Sequence, residues 1–122
     1  MEKYVIFTLI AGLIFLASII TGAVLRKREH PYPPLIITFH KLISLAALVF
    51  AGLAIAEFLP LSKPKITGIA LLSFSGIFIL LSLISGALLT RKTESDNKTL
   101  RLHRVSSAVT IIFIFLSIIW FS

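Results

Sequence analysis

Residues 12–27 read GLIFLASIITGAVLRK, and residues 76–92 read GIFILLSLISGALLTRK. The second stretch restates the first. Gly12, Leu16, Ser18, Ile20, Gly22, Ala23 and Leu25 return as Gly76, Leu80, Ser82, Ile84, Gly86, Ala87 and Leu89, a constant displacement of 64 residues. Thr21 answers to Ser85, and both stretches then turn basic. Each is an unbroken apolar run closed by Arg and Lys, which is how a lipid-spanning helix ends at a charged surface. Downstream the repeat continues: His40, Lys41 and Ser44 return as His103, Arg104 and Ser107, displaced by 63, so the second loop is one residue shorter.

Composition agrees. The chain has 122 residues, 57% hydrophobic and 14% charged, with a mean hydropathy of +1.04. A water-soluble domain of this size needs more polar groups to cover its surface, and one transmembrane domain over 1–122 is expected. There are no cysteines, which excludes disulfides, iron–sulfur clusters, c-type haem attachment and thiolate zinc sites. The net charge of +7 reports topology here, not nucleic-acid binding. No phosphate-binding loop, nucleophile elbow or paired-carboxylate site is visible.

The pattern predicts four spans, over about residues 4–25, 35–58, 66–89 and 100–121. Pro33 and Pro34 open the second, Pro60 and Pro64 precede the third, and Asn97 or Thr99 is a candidate N-cap for the fourth. The first run is longer than the apolar core of a signal peptide, its charge follows instead of leading, and no A-x-A site appears. Arg26, Lys27, Arg28, Lys41, Arg91, Lys92, Lys98, Arg101 and Arg104 fall on one side. Only Lys3, Lys63 and Lys65 fall on the other. The positive-inside rule places loops 26–34 and 90–99 in the cytoplasm and both termini outside, with Trp120 and Phe121 at the outer interface. A prokaryotic plasma membrane is the expected location.

The fold expected is all-α: a four-transmembrane-helix up-down bundle from tandem duplication of a two-helix hairpin, with repeats over about 4–59 and 66–122. Both copies cross in the same sense, so His40 and His103 fall at the same depth, about a turn and a half inside the cytoplasmic ends of spans two and four. In cyclic order those spans are diagonal. Neighbouring axes about 8–10 Å apart give a diagonal of roughly 11–14 Å, the room two imidazoles and a metal macrocycle need.

An ionisable side chain inside a span is costly, so two in matched places point to a purpose. Neutral imidazole is a haem-iron ligand, and cytochromes use paired axial side chains. On this reading His40 and His103 are the metal ligands. Ser44 and Ser107, four residues on, line the pocket or orient an imidazole. Lys41 and Arg104 neutralise haem propionates, and Gly22 and Gly86 leave room for a porphyrin edge. Plainer readings stand beside each: an interfacial histidine bonded to water or a headgroup, snorkelling cations, and Ser18-x-x-x-Gly22 and Ser82-x-x-x-Gly86 as helix-packing pairs. His30 reads as a solvated loop residue whose repeat counterpart is Glu94. A zinc site from His30, His40 and His103 has no repeated carboxylate to complete it. Glu57, near the outer end of the second span, reads as an interfacial acid, or as a proton-exchange or quinone-headgroup residue.

Gly22-Ala23-Val24-Leu25-Arg26-Lys27 followed by Phe39-His40-Lys41-Leu42-Ile43-Ser44 resembles the two-helix unit of cytochrome b561-like membrane proteins. Leu102-His103-Arg104-Val105-Ser106-Ser107 resembles the Leu-His-Arg stretch of ferric-reductase-like transmembrane domains. The resemblance implies haem b on histidines of neighbouring or diagonal helices, and electron transfer across or along the membrane. Those families usually place two haems on four histidines, often with glycine where Ser44 and Ser107 stand. This chain has two intramembrane histidines, enough for one haem in that mode.

The reading is therefore a small membrane b-type cytochrome with one bis-histidine haem near the cytoplasmic face. It transfers electrons, with quinone or as a subunit of a larger respiratory complex or oligomer. The alternatives are a small transporter or channel using Glu57, and a cofactor-free structural subunit of a membrane complex.

Overall fold

Apolar runs this long satisfy their backbone groups in lipid only as helices, and the computed structural model is built that way. It describes residues 2–29, 32–61, 63, 65–91 and 97–121, with the side chains of Arg91, Ile118 and Phe121 outside the described set. Four helices follow one another: α1 (Lys3–Arg26), α2 (Pro34–Phe58), α3 (Ile66–Arg91) and α4 (Asn97–Phe121). No strand occurs among the described residues. At 24 to 26 residues each helix is about 36–39 Å long, more than the roughly 30 Å of a hydrocarbon core. All four are long and apolar enough to cross a membrane, and the chain is an integral membrane protein. Pro34 stands at the first position of α2 with Pro33 as its cap, where a missing N–H costs nothing. Helix α4 already includes Asn97 and Thr99, so Thr99 lies in the first turn and not ahead of it. Lys92 and Glu94 lie outside the described residues.

The chain divides into two compact units, Met1–Lys63 and Pro64–Ser122, the first holding residues 12–44 and the second the similar residues 76–107. Each is a helical hairpin, α1 on α2 and α3 on α4.

Within each hairpin the contact seam has a period of seven. Ala11, Ser18 and Leu25 are buried on α1, and Ala47 and Ala54 on α2, with half-buried His40 one heptad earlier. The second hairpin repeats the register: Ser75 and Leu89 are buried on α3 with half-buried Ser82 between them. Thr110 and Ser117 are buried on α4, with half-buried His103 one heptad earlier; Ser85 and Ser106, fully buried, lie three residues past Ser82 and His103. A seven-residue spacing keeps one stripe of each helix against its neighbour along a shallow left-handed crossing. Apart from Leu25, Leu89 and the histidines the stripe is made of small residues, which let backbones approach closely where lipid removes the hydrophobic drive between helices.

Large side chains go the other way. Leu13 is 70% exposed, Leu35 83% and Ile66 84%. In water this distribution would be an aggregation liability; in a bilayer it is the lipid-facing surface. At the end of each hairpin away from the histidine, aromatic rings fill the seam. Tyr4 meets Phe58 at 5.5 Å, and Phe113 stacks on Phe74 at 5.7 Å and on Phe78 at 5.8 Å.

Candidate functional site

His40 lies six residues past the start of α2, and His103 six residues past the start of α4. That is about 9 Å along the axis, a turn and a half in. The heptad register turns both side chains toward the partner helix of their own hairpin. There each meets a glycine and a hydroxyl, and His103 also meets a backbone carbonyl.

The glycine comes first. A Cβ added at Gly22 would stand 3.2 Å from His40 Cε1, and one at Gly86 would stand 3.1 Å from His103 Cε1 and 3.3 Å from its Nδ1. The space these glycines visibly open holds the imidazole of their own hairpin. A role against a macrocycle edge would act through that ring.

The hydroxyl comes second. Thr21 Oγ1 lies 2.9 Å from His40 Nδ1. It also lies 3.0 Å from the carbonyl oxygens of Ala17 and Ser18. A threonine hydroxyl has one proton, and carbonyl oxygens only accept. All three contacts are favourable when Thr21 donates to the carbonyls behind it and His40 Nδ1–H donates to Thr21. His103 makes the same assignment more directly. Its Nδ1 lies 2.8 Å from the carbonyl oxygen of Ser82, so Nδ1 must carry the proton it donates. Ser85 Oγ, 3.2 Å away, is a second, longer acceptor, and Ser85 itself donates to the Ser82 carbonyl at 3.1 Å. With the proton on Nδ1, Nε2 of a neutral ring is the nitrogen with the lone pair, the form in which imidazole binds a metal.

Ser44 and Ser107 stand one turn deeper. Ser44 Oγ donates to the His40 carbonyl at 2.7 Å, so the 2.5 Å contact across the hairpin is donated by Ser18 Oγ. Ser82 and Ser107 repeat it at 2.5 Å. These serines tie the helices together beneath the imidazole; the groups on Nδ1 are Thr21, Ser85 and the Ser82 carbonyl. The sequence held a signal for Thr21 and Ser85, since they match each other in the repeat. The Ser82 carbonyl had none, because a backbone acceptor leaves no mark on residue type. It is reachable because the residue four positions on, whose N–H it accepts within the helix, is Gly86, with no side chain to shield it.

Lys41 and Arg104 are exposed beside the histidines, as are Arg26, Lys27 and Arg28 at the same end of the first hairpin. Glu57 is exposed one residue from the far end of α2. Its 17-residue separation from His40 on one helix is about 25 Å. His30 lies outside the described residues. Among those described, no three His, Cys, Asp or Glu side chains gather in a way that could hold a metal ion; the zinc reading, which needs His30, falls outside them. A porphyrin supplies four nitrogens of its own and asks only two of the protein. Each hairpin offers one imidazole nitrogen of that kind, His40 in the first and His103 in the second.

No protein-family model matches the chain, and neither does any curated protein or solved structure.

Proposed function

We propose that the chain is a small b-type cytochrome in which His40 and His103 are the axial ligands of one haem b, serving as an electron carrier. The observation that carries this reading is the repeated setting of the two imidazoles. Each lies on a glycine and is held at Nδ1 by an acceptor, so the remaining nitrogen is a ligand nitrogen in both. Two histidines kept only as packing residues would not need the same tautomer in the same register. Bound haem supplies one-electron redox chemistry. The chain's own residues keep each ring oriented, and Lys41, Arg104 and the basic turn would supply counter-charge to propionates. Two protein ligands leave iron no open position, which suits a carrier and not an oxidase. The reading agrees with the resemblance to cytochrome b561-like and ferric-reductase-like domains. With positive-inside orientation it places the haem near the cytoplasmic face, where quinone or a partner subunit of a respiratory assembly would exchange electrons with it.

The test is an absorption spectrum of detergent-purified protein, oxidised and then dithionite-reduced, beside His40→Ala and His103→Ala. The expected result is a Soret band with sharp reduced α and β bands, lost or altered in each variant. A protein that stays colourless after haem is supplied overturns the reading, and a cofactor-free subunit or a Glu57-dependent transporter takes its place.

A further inference from the structure

In each hairpin one serine addresses the histidine's helix with its side chain and the histidine's ring with its backbone. Ser18 Oγ lies 2.5 Å from Ser44 Oγ, and Ser44 Oγ donates to the His40 carbonyl at 2.7 Å. The Ser18 carbonyl oxygen lies 3.0 Å from Thr21 Oγ1, which lies 2.9 Å from His40 Nδ1. In the second hairpin Ser82 Oγ lies 2.5 Å from Ser107 Oγ, four residues past His103, and the Ser82 carbonyl accepts from His103 Nδ1–H at 2.8 Å. Each serine pair crosses its seam about 6 Å deeper than the histidine.

Lipid does not press two helices together, so small residues and bonds across the seam set their separation at each depth. Here the glycine lets the facing helix come in until an added Cβ would stand 3.2 Å or 3.1 Å from the ring. The serine pair then holds the helices at that distance, and a hydrogen bond weakens once its partners part by a few tenths of an ångström. We infer that Ser18 and Ser82 are positioning residues: clasped to Ser44 and Ser107, each holds the helix separation at which the imidazole of its own hairpin reaches the facing helix. What this does for a bound haem rests on the cytochrome reading; what it does for the rings does not.

The test on the rings is nitrogen-15 NMR of histidine-labelled apoprotein in detergent micelles, reading ring shifts and the rate at which each ring N–H exchanges with water. Ser82→Ala and Ser107→Ala remove one bond from opposite sides. Each should shift the His103 ring signals and speed exchange there about threefold, the factor that an average bond between helices in a bilayer corresponds to. The double variant should do little more than either, and His40 should be spared. Ser18→Ala and Ser44→Ala should act on His40 and spare His103. Two controls separate positioning from stability. Ser75→Ala removes a buried hydroxyl of the same seam that bonds within its own helix, to the Leu71 carbonyl at 2.9 Å. Phe113→Ala loosens the same hairpin at its stacked rings, about 15 Å along α4 from His103. Neither should change the His103 ring. The test on a bound haem is its midpoint potential. A well-bonded far N–H makes a ligating imidazole more basic and favours ferric iron. A threefold loss confined to that state raises the potential by about 28 mV, since tenfold is about 59 mV for one electron.

His103 signals unchanged in both Ser82→Ala and Ser107→Ala overturn the inference. So does an equal change in Ser75→Ala or Phe113→Ala, or an equal effect of Ser82→Ala on His40. If the protein takes up no haem, the cytochrome reading fails, and the ring measurement alone decides the positioning roles.

Discussion

Gly22→Ala and Gly86→Ala test whether the imidazoles lie where the structure puts them. A methyl at Gly22 would stand 3.2 Å from His40 Cε1; at Gly86 it would stand 3.1 Å from His103 Cε1 and 3.3 Å from Nδ1. Comfortable carbon contacts begin near 3.5 Å, so each ring must retreat by a few tenths of an ångström. His40 can follow by turning the Thr21 hydroxyl. His103 has less freedom, because moving its ring stretches a 2.8 Å bond to a rigid carbonyl. Two terms of opposite sign then compete. Alanine is favoured over glycine in a helix by about 0.8–1 kcal/mol. Overpacking costs typically 1–3 kcal/mol. At Gly22 the two nearly cancel, giving roughly 0–1 kcal/mol of destabilisation. At Gly86 crowding wins, with a loss of roughly 1–2 kcal/mol.

The control is built into the chain. A Cβ at Gly12 or Gly76 meets nothing within 4 Å. Gly12→Ala and Gly76→Ala should therefore show only the propensity gain, up to about 1 kcal/mol. The assay is reversible SDS-induced unfolding in mixed micelles, followed by helical circular dichroism. The expected order of stability is Gly12→Ala and Gly76→Ala above wild type, Gly22→Ala at or slightly below it, and Gly86→Ala lowest. A Gly86→Ala protein as stable as Gly76→Ala would show that no ring lies over Gly86, and the assignment of the Nδ1 proton would fall with it.

Three further outcomes follow from the same geometry. Ser18→Ala and Ser44→Ala each remove the bond between the helices of the first hairpin; each should cost about 0.6 kcal/mol, the average for such bonds in a bilayer, and the double variant should cost little more than either alone in the same unfolding assay. Phe113→Ala removes two stacked partners, Phe74 and Phe78, each pair worth about 0.5–1.5 kcal/mol; it should destabilise the fold by at least 1 kcal/mol, and an unchanged unfolding midpoint would discount the stacking. Glu57→Gln, exposed at the far end of α2, should leave the haem spectrum and midpoint potential unchanged, whereas loss of a substrate flux in proteoliposomes would favour the transporter reading.

Much of this architecture is legible in the sequence because lipid allows so few solutions. Apolar length, Arg26-Lys27-Arg28 and Pro33-Pro34 place the helix ends within a few residues, since a charge cannot enter the hydrocarbon and proline cannot continue a helix from within. The two histidines and their matching place six residues past each helix start follow from the repeat alone. Partners are harder to read. Ser44 falls on the histidine's helix face at i+4, which suggests that it touches the ring. It bonds instead to the His40 backbone and to Ser18, because a serine hydroxyl inside a helix reaches the carbonyl of the previous turn more easily than a side chain pointing the same way. Gly22 suggests room for a ligand, but i, i+4 spacing on one helix does not say which side chain of the next helix enters that room. Only the seven-residue register, visible once both helices are paired, aims His40 at it.

The way the two hairpins differ bears on what their seams are for. At the basic end most seam positions match, Ser18 with Ser82, Gly22 with Gly86, Leu25 with Leu89, His40 with His103 and Ser44 with Ser107, while Thr21 stands where the second has Ser85 and half-buried Ile43 where it has fully buried Ser106. Away from it they diverge. Ala11, Ala47 and Ala54 of the first seam stand where the second has Ser75, Thr110 and Ser117, all six buried. Each of those three hydroxyls donates to a carbonyl of its own helix one turn back, Ser75 to Leu71, Thr110 to Ser106 and Ser117 to Phe113. They satisfy themselves and add no bond between helices, so alanine and serine are nearly interchangeable there and only size is constrained. Where a seam merely packs, then, chemistry is free to vary. Where the imidazole lies, a hydroxyl larger than serine is tolerated at Thr21, but the glycine, the serine pair and the histidine are the same in both. Packing asks only for size and gives no reason for the matched glycine, serine pair and histidine; the proposed ligand role, which needs the ring fixed, gives one.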